Sequence, residues 1–354
     1  MKGLRPIGVA LGCMMLTSGA MAQLSITPPA QQTPAPKKEA PKEPRPKVHS
    51  PVAKKPAPKP AATATPTPTP GAEDPNVDLV YGAYQRGLYK TAFDLATTRV
   101  QYNNDPKAMT MLGELYANGL GVKRDYVKAD DWYKRASDAG DREAMFALAM
   151  MRIAGRGGVV DKDSAVKLLA SSAKLGEPKA AYNLALLYLD GQTLPQDVKR
   201  SAELLRTAAD AGNPEAQYAL ATFYKEGTGV PKDLEKAARL LQAASLADNV
   251  DAEVEYAIAL YNGSGTPRNV PASVALLRKA ARQNSAIAQN RLAHVLATGA
   301  GAPMDKVEAL KWHLIAKTAG KGDPDLDDIL ADMSPDDRAK GEAAARKWIG
   351  NDVK

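Results

Sequence analysis

Residues 108–140 read AMTMLGELYANGLGVKRDYVKADDWYKRASDAG. Two periodic segments joined by a glycine-bearing turn are legible in this stretch. In the first, Ala108, Leu112 and Tyr116 recur at i, i+4 and i+8, which places them on one face of a helix. Gly119 and Gly121 follow, and glycine takes at little cost the positive φ that ends a helix and turns the chain. Asp125 stands where a second helix begins, so its carboxylate can accept orphan backbone N–H groups and complement the helix dipole. That second helix is expected to bury Ala129, Trp132 and Ala136. Two short amphipathic helices cannot enclose a core, so the unit needs neighbours.

The neighbours are found by adding 36. Ala108, Ala144, Ala180, Ala216, Ala252 and Ala288 are in step, and so are Gly119, Gly155, Gly191, Gly227, Gly263 and Gly299. A second glycine column, Gly121, Gly157, Gly229, Gly265 and Gly301, is interrupted only by Thr193. Gly113 becomes Ala149, Ala185, Ala221, Ala257 and Ala293, a small-residue column that lets helices approach closely. Asp125, Asp161, Asp197, Asp233, Asn269 and Asp305 fill the second-helix start, and Ala309, Trp312 and Ala316 close the last unit as Ala129, Trp132 and Ala136 close the first. The composition agrees: 3 Phe, 3 Trp and 3 His in 354 residues leave a core of Ala, Leu, Val, Met and Tyr, which suits helices better than sheets.

The order Ala-x-x-x-Leu-Gly/Ala-x-x-Tyr, Gly-x-Gly-Val, Asp-x-x-Lys-Ala and Trp, as it stands from Ala108 to Gly140, resembles the Sel1-like repeat. The resemblance implies an all-α protein, an α/α solenoid of helix-turn-helix repeats related to tetratricopeptide arrays, with the first helix of each unit lining a concave surface. It covers six units over residues 106–323. Local departures are Arg152 in place of the Tyr, an extra Gly158 before Val159 and Val160, and Thr193; each is expected to loosen one loop. Residues 72–105 read as an N-terminal capping helix pair carrying Tyr81, Tyr84, Ala92 and Leu95. Residues 324–354 read as C-terminal capping helices, with Ser334-Pro335-Asp336-Asp337 as a helix start and an end near Trp348 and Gly350.

One helix face departs from what water alone would select. With Leu184 at the centre of the buried face and 100° per residue, Tyr182 and Leu186 fall on the opposite side. The equivalent positions in units two to four are Phe146 and Met150, Tyr182 and Leu186, and Tyr218 and Thr222. Around them lie Glu143, Lys179, Asn183, Asp190, Glu215, Lys225 and Glu226. An apolar stripe with a polar rim is the composition of a peptide-binding surface. Packing against the next unit is the alternative use of the same side chains, and both readings stay open at this stage.

The ends of the chain read differently. Lys2 and Arg5 precede an apolar run from Ile7 to Leu16 and the small-x-small triplet Ala20-Met21-Ala22, the pattern of a secretory signal peptide over residues 1–22 cut before Gln23. The expected location is therefore periplasmic, with a lipid-modified Cys13 in Ala10-Leu11-Gly12-Cys13, or release from the cell, as alternatives. Residues 23–71 hold 14 of the 26 prolines and a net charge of +6, which predicts an extended tether. Ten of the 47 bases and two of the 40 acids precede residue 72, leaving 37 bases against 38 acids, so a basic nucleic-acid-binding domain is not expected.

Chemistry is sparse. His294 and His313 are the only histidines after residue 71 and Cys13 is the only cysteine, so zinc and Cys/His catalysis are not expected. Asp323, Asp325, Asp327 and Asp328 miss the glycine and glutamate that a calcium loop needs and read as helix-start charges. No catalytic residue, metal or cofactor is predicted. The function read from the residues and the resemblance together is a non-enzymatic exported scaffold that holds a protein partner in its concave face through Phe146, Met150, Tyr182, Asn183, Leu186, Tyr218 and Thr222. That partner is expected to be an envelope sensor, enzyme or assembly factor, and the bacterial relatives imply envelope signalling or exopolysaccharide synthesis. The alternatives are a structural tether whose basic linker contacts an anionic envelope surface, and a carbohydrate-active enzyme that uses carboxylates.

Overall fold

The computed structural model describes residues 78–352. The expected signal peptide over residues 1–22 and the expected tether over 23–71 lie outside the described residues. Sixteen α-helices, with no strand, make up the described residues. The first two, α1 (Leu79–Gln85) and α2 (Tyr89–Asn103), precede the repeats. Six pairs of 13-residue helices follow: α3 (Pro106–Asn118) with α4 (Tyr126–Asp138), α5 (Arg142–Ala154) with α6 (Lys162–Lys174), and α7 (Pro178–Asp190) with α8 (Val198–Asp210). The array continues through α9 (Pro214–Glu226) and α10 (Leu234–Leu246), α11 (Val250–Asn262) and α12 (Val270–Arg282), and α13 (Ala286–Thr298) and α14 (Lys306–Thr318). Two helices close the chain, α15 (Pro324–Ile329) and α16 (Pro335–Asp352). From α1 to α14 each helix packs chiefly on its neighbours in sequence, and α16 lies on α14.

The turns explain why the period is so strict. Gly119 and its five counterparts end the first helices in the left-handed conformation. The next N-cap, Asp125 and its equivalents, accepts backbone N–H groups of the second helix with its side chain. Its own backbone N–H reaches back to the first helix, as in Asp125 to the Tyr116 carbonyl at 3.0 Å and Asp233 to the Tyr224 carbonyl at 2.9 Å. The bond recurs in the two irregular units, Asp161 to Arg152 and Asp197 to Tyr188, each at 3.0 Å, so the departures leave the turn locked. Arg152 adds a tie: its Nε and Nη2 donate to Asp130 at 3.2 and 3.3 Å, joining α5 to the preceding α4.

The second glycine column has a different task from the first. A Cβ at Gly157 would lie 2.5 Å from the Tyr126 carbonyl oxygen, at the start of the preceding unit's second helix. Close approach between units therefore depends on the missing side chain. Where Thr193 interrupts the column its φ is not positive, and Gln192 N–H donates instead to Asp190 at 2.8 Å.

Inside the array the alanine column and the small-residue column are buried throughout, with Leu112, Leu148, Leu184, Leu220 and Leu292 beside them. Each such leucine contributes about 1.5–3 kcal/mol of transfer free energy. Gly113 is matched to Tyr133, whose ring carbons stand 2.6 Å from where a Cβ would be, while later units pair Ala with Leu169, Leu205, Leu241 and Leu277. Tyr133, next to Trp132, is the residue the first unit buries. Trp132, expected in the core, is half-buried and is covered by the Arg135 guanidinium at 4.2 Å, whereas Trp312 is buried. At the leading end Ala92 is buried, Tyr84 and Leu95 pack on the core and Tyr81 is exposed. At the trailing end Trp348 meets Trp312 edge to face at 5.2 Å, and α16 runs on past Gly350 to Asp352.

Candidate functional site

The seven predicted residues lie on three consecutive first helices: Phe146 and Met150 on α5, Tyr182, Asn183 and Leu186 on α7, Tyr218 and Thr222 on α9. The structure divides them by environment. Phe146, Tyr182 and Tyr218 are half-buried and pack on the largest hydrophobic cluster, which runs from Ala149 to Ala252. For these three rings the inter-unit contact and an open edge coexist. Met150 is half-buried and Leu186 is 36% exposed, and neither belongs to that cluster. Asn183 and Thr222 direct their donors to their own helix, Asn183 Nδ2 to the Lys179 carbonyl at 2.8 Å and Thr222 Oγ1 to the Tyr218 carbonyl at 3.3 Å.

Beyond Tyr218 the same face becomes charged. Burial first, then Glu255, Asp251 and Glu226, push the Tyr218 phenol up to about 12. Lys225 Nζ is paired with Glu255 Oε2 at 2.9 Å. Glu226 and Asp251 are exposed and make no ion pair among the described residues. In the next unit Arg291 is half-buried, and burial pulls its guanidinium below the ordinary value against the opposing influence of Glu255. Sequence reading missed Asp251 and Glu255 as members of this face. The signal was available, because Asp251 continues the column of Lys179 and Glu215, and Glu255 continues the column of Asn183 and Ala219.

Chemical groups elsewhere are structural. His294 Nε2 meets Asp323 Oδ2 at 2.7 Å and His313 Nε2 meets Asp327 Oδ1 at 2.8 Å, so both tie α15 to the last repeat. Asp323 is the N-cap of α15, and Asp325 and Asp327 lie in its first turn. No group of three or more His, Cys, Asp or Glu able to hold a metal occurs among the described residues, and none of their helices is long and apolar enough to cross a membrane.

A tandem of helix pairs with a half-open apolar row across successive first helices defines an α/α-solenoid of the interaction type. The Sel1 repeat profile matches residues 106–141, 142–177, 178–213, 214–249, 250–285 and 286–321, and the chain belongs to the Sel1 repeat family. Sel1 repeat proteins are in general protein-interaction scaffolds without catalysis. The fold is similar to that of a protective antigen present in uropathogenic Escherichia coli strains, with a TM-score of 0.64, 27% identity and coverage of 76% of this chain. The chain spans only 59% of that antigen's length. It is also similar to a Sel1 repeat protein from Oxalobacter formigenes, with a TM-score of 0.60, 27% identity, and coverage of 68% of this chain and 98% of the other. Comparison with curated proteins yields no match.

Proposed function

We propose that this chain is a non-enzymatic, exported scaffold that holds one partner protein on the first-helix face of units two to four. The observation that carries the reading is the row Phe146, Met150, Tyr182, Leu186 and Tyr218, apolar across three units where Leu186 is left 36% exposed. An isolated exposed leucine needs no explanation, but one in register with Met150 and flanked by half-open aromatic rings forms a patch. In solenoids of this type the first helices line the concave side, where a ligand touches several units at once. Export to the periplasm is supported by Lys2, Arg5, the run from Ile7 to Leu16 and Ala20-Met21-Ala22. A role in envelope signalling or exopolysaccharide synthesis is the part of the proposal supported by family resemblance alone.

The test is site-specific photo-crosslinking in the native host. A photoreactive residue at Asn183 should capture a single envelope protein. Met150→Ser with Leu186→Ser should abolish that product while lowering stability by no more than about 1 kcal/mol, as exposed substitutions do. A loss of about 2–5 kcal/mol, the cost of truncating buried apolar side chains, would show that these residues hold units together instead.

A further inference from the structure

The apolar row does not end in neutral surface. It runs into Tyr218 and then into the carboxylates that α9 and α11 contribute, Glu215, Glu226, Asp251 and Glu255, against the single base Lys225 on those faces. Lys225 is already engaged by Glu255 at 2.9 Å, which leaves Glu226 and Asp251 without a counter-charge among the described residues. On α5 and α7 the charges are balanced differently: Arg142 lies 3.8 Å from Glu177, and Arg152 is held by Asp130. Acids therefore outnumber bases on α9 and α11 at one end of the apolar row, beside a half-buried aromatic ring, with Arg291 of the next unit as a further base near Glu255.

We propose that the segment accepted by this face is a stretch of a partner protein carrying two or more apolar side chains followed closely by a lysine or arginine, the apolar groups on Met150, Tyr182 and Leu186 and the cation at Tyr218, Glu226 and Asp251. The inference rests on the reading of the first-helix face as the docking surface and names the chemistry of its occupant. Each half of the recognition needs the other. Exposed carboxylates alone attract a cation weakly in water. An apolar row alone gives area without orientation, whereas a cation over the Tyr218 ring fixes direction along the array. Burial first, and then Glu255, Asp251 and Glu226, raise the Tyr218 phenol, which places these three carboxylates near the ring. An acidic segment would meet the same field with the wrong sign. The chain's own basic stretch, Lys37 to Lys59, has Val48 and Val52 ahead of Lys54 and Lys55, only two aliphatic side chains beyond alanine and proline in 23 residues, and it is the competing occupant that the peptide of residues 37–59 tests.

The experiment is display of random dodecapeptides on the full chain. Fluorescence anisotropy of the selected peptides then follows with wild type, Met150→Ser/Leu186→Ser and Glu226→Gln/Asp251→Asn, each at 50 and 300 mM salt. The expected result is a selected motif with a basic residue next to two apolar ones. Affinity should fall tenfold or more in each double variant, and Glu226→Gln/Asp251→Asn should also flatten the salt dependence. Peptides that need Met150 and Leu186 but carry neutral or acidic flanks, and ignore Glu226→Gln/Asp251→Asn, would overturn the cation preference and leave the docking face standing. Peptides indifferent to Met150→Ser/Leu186→Ser, or no selected peptide at all, would overturn the face together with its occupant. A synthetic peptide of residues 37–59 that binds as tightly as the selected ones would overturn the proposal in favour of an intramolecular occupant.

Discussion

At Gly227 the backbone sits at φ +82°, and a Cβ there would meet Lys232 Cβ at 3.4 Å, so the position asks for glycine through its backbone more than through its space. Gly157 has the same φ of +82° and in addition faces the Tyr126 carbonyl oxygen at 2.5 Å. Gly227→Ala should therefore cost about 1 kcal/mol, and Gly227→Val about 1–3 kcal/mol, from left-handed strain. Gly157→Ala should cost clearly more, because two units must separate to admit the methyl group. Thermal melts of the two alanine variants check this, and equal losses would remove the second glycine column from the contact between units. Glu253 is the other residue with a sharp expectation. It is fully buried, its Oε2 meets no donor, and its partner is Lys279 Nζ at 2.6 Å from Oε1. One unit earlier and one later, glutamine occupies this position, and Gln217 and Gln289 donate to the Ala209 and Ala281 carbonyls at 3.2 and 3.1 Å. Glu253→Gln should leave stability unchanged or raise it by about 1–2 kcal/mol. Lys279→Ala, which strands a buried charge, should cost about 3 kcal/mol. Denaturant titration of both variants decides, and equal destabilisation by the two would contradict this account.

Among the elements, α15 is too short to hold itself, and the last repeat holds it through side chains. His313 stands where four earlier units have a buried leucine, and its Nε2 reaches Asp327 while Lys317 Nζ takes the other carboxylate oxygen at 3.0 Å. Asn290 and His294 hold the N-cap Asp323, and Lys306 Nζ donates to the Ile329 carbonyl at 3.3 Å. The histidine in the core column thus exchanges some apolar burial for a bond to the cap. Hydrogen bonds from His313 first and Lys317 second hold the Asp327 carboxyl below the usual carboxylate range. A carboxyl lowered by folding contributes docking free energy that is complete above its unfolded pKa, about 3.9, and is lost as pH falls through the folded value. Amide protection in α15 should hence be insensitive to this group between pH 5 and 7 and should fall below about pH 4. Asp327→Asn should lower that protection at neutral pH and shrink the acid-dependent part, as read by hydrogen exchange, the remainder belonging to Asp323, whose carboxyl, against its burial, is held low by Asn290 and His294.

For the whole array, contact is between neighbours in sequence, so stability is close to a sum of units and interfaces. Deleting residues 178–213 joins Glu177 to Pro214, so Pro214 takes the place of Pro178 as the first residue of the helix that follows Glu177. The shortened chain should fold with unchanged helix content per residue and a lower melting temperature, and it should lose the partner captured at the first-helix face, since Tyr182 and Leu186 leave with the unit. Circular dichroism, and crosslinking from a photoreactive residue placed at Glu143, which both chains keep, report the two outcomes separately. A chain that unfolds on this deletion would show coupling longer in range than one unit.

The period of 36, both helix starts, the glycine columns and the buried alanine columns were all legible in the residues from Ala108 onward, because each rests on local chemistry. Caps, left-handed turns and helical periodicity are decided within a few residues of one another. Repetition then supplied the long-range contacts that a single unit cannot express. Three things needed the tertiary structure. Angular reasoning on one helix placed Tyr182 and Leu186 on the same outward face, yet Tyr182 is half-buried and packs on the core cluster while Leu186 is left open, since a side chain's burial depends on its reach. Trp132 and Tyr133 are adjacent in sequence, and only the space opened by Gly113 decided that the tyrosine fills the core. The negative end of the apolar row joins Tyr218 to Asp251 and Glu255 of the following unit, a juxtaposition made by stacking, because electrostatic potential adds up through space and not along the chain.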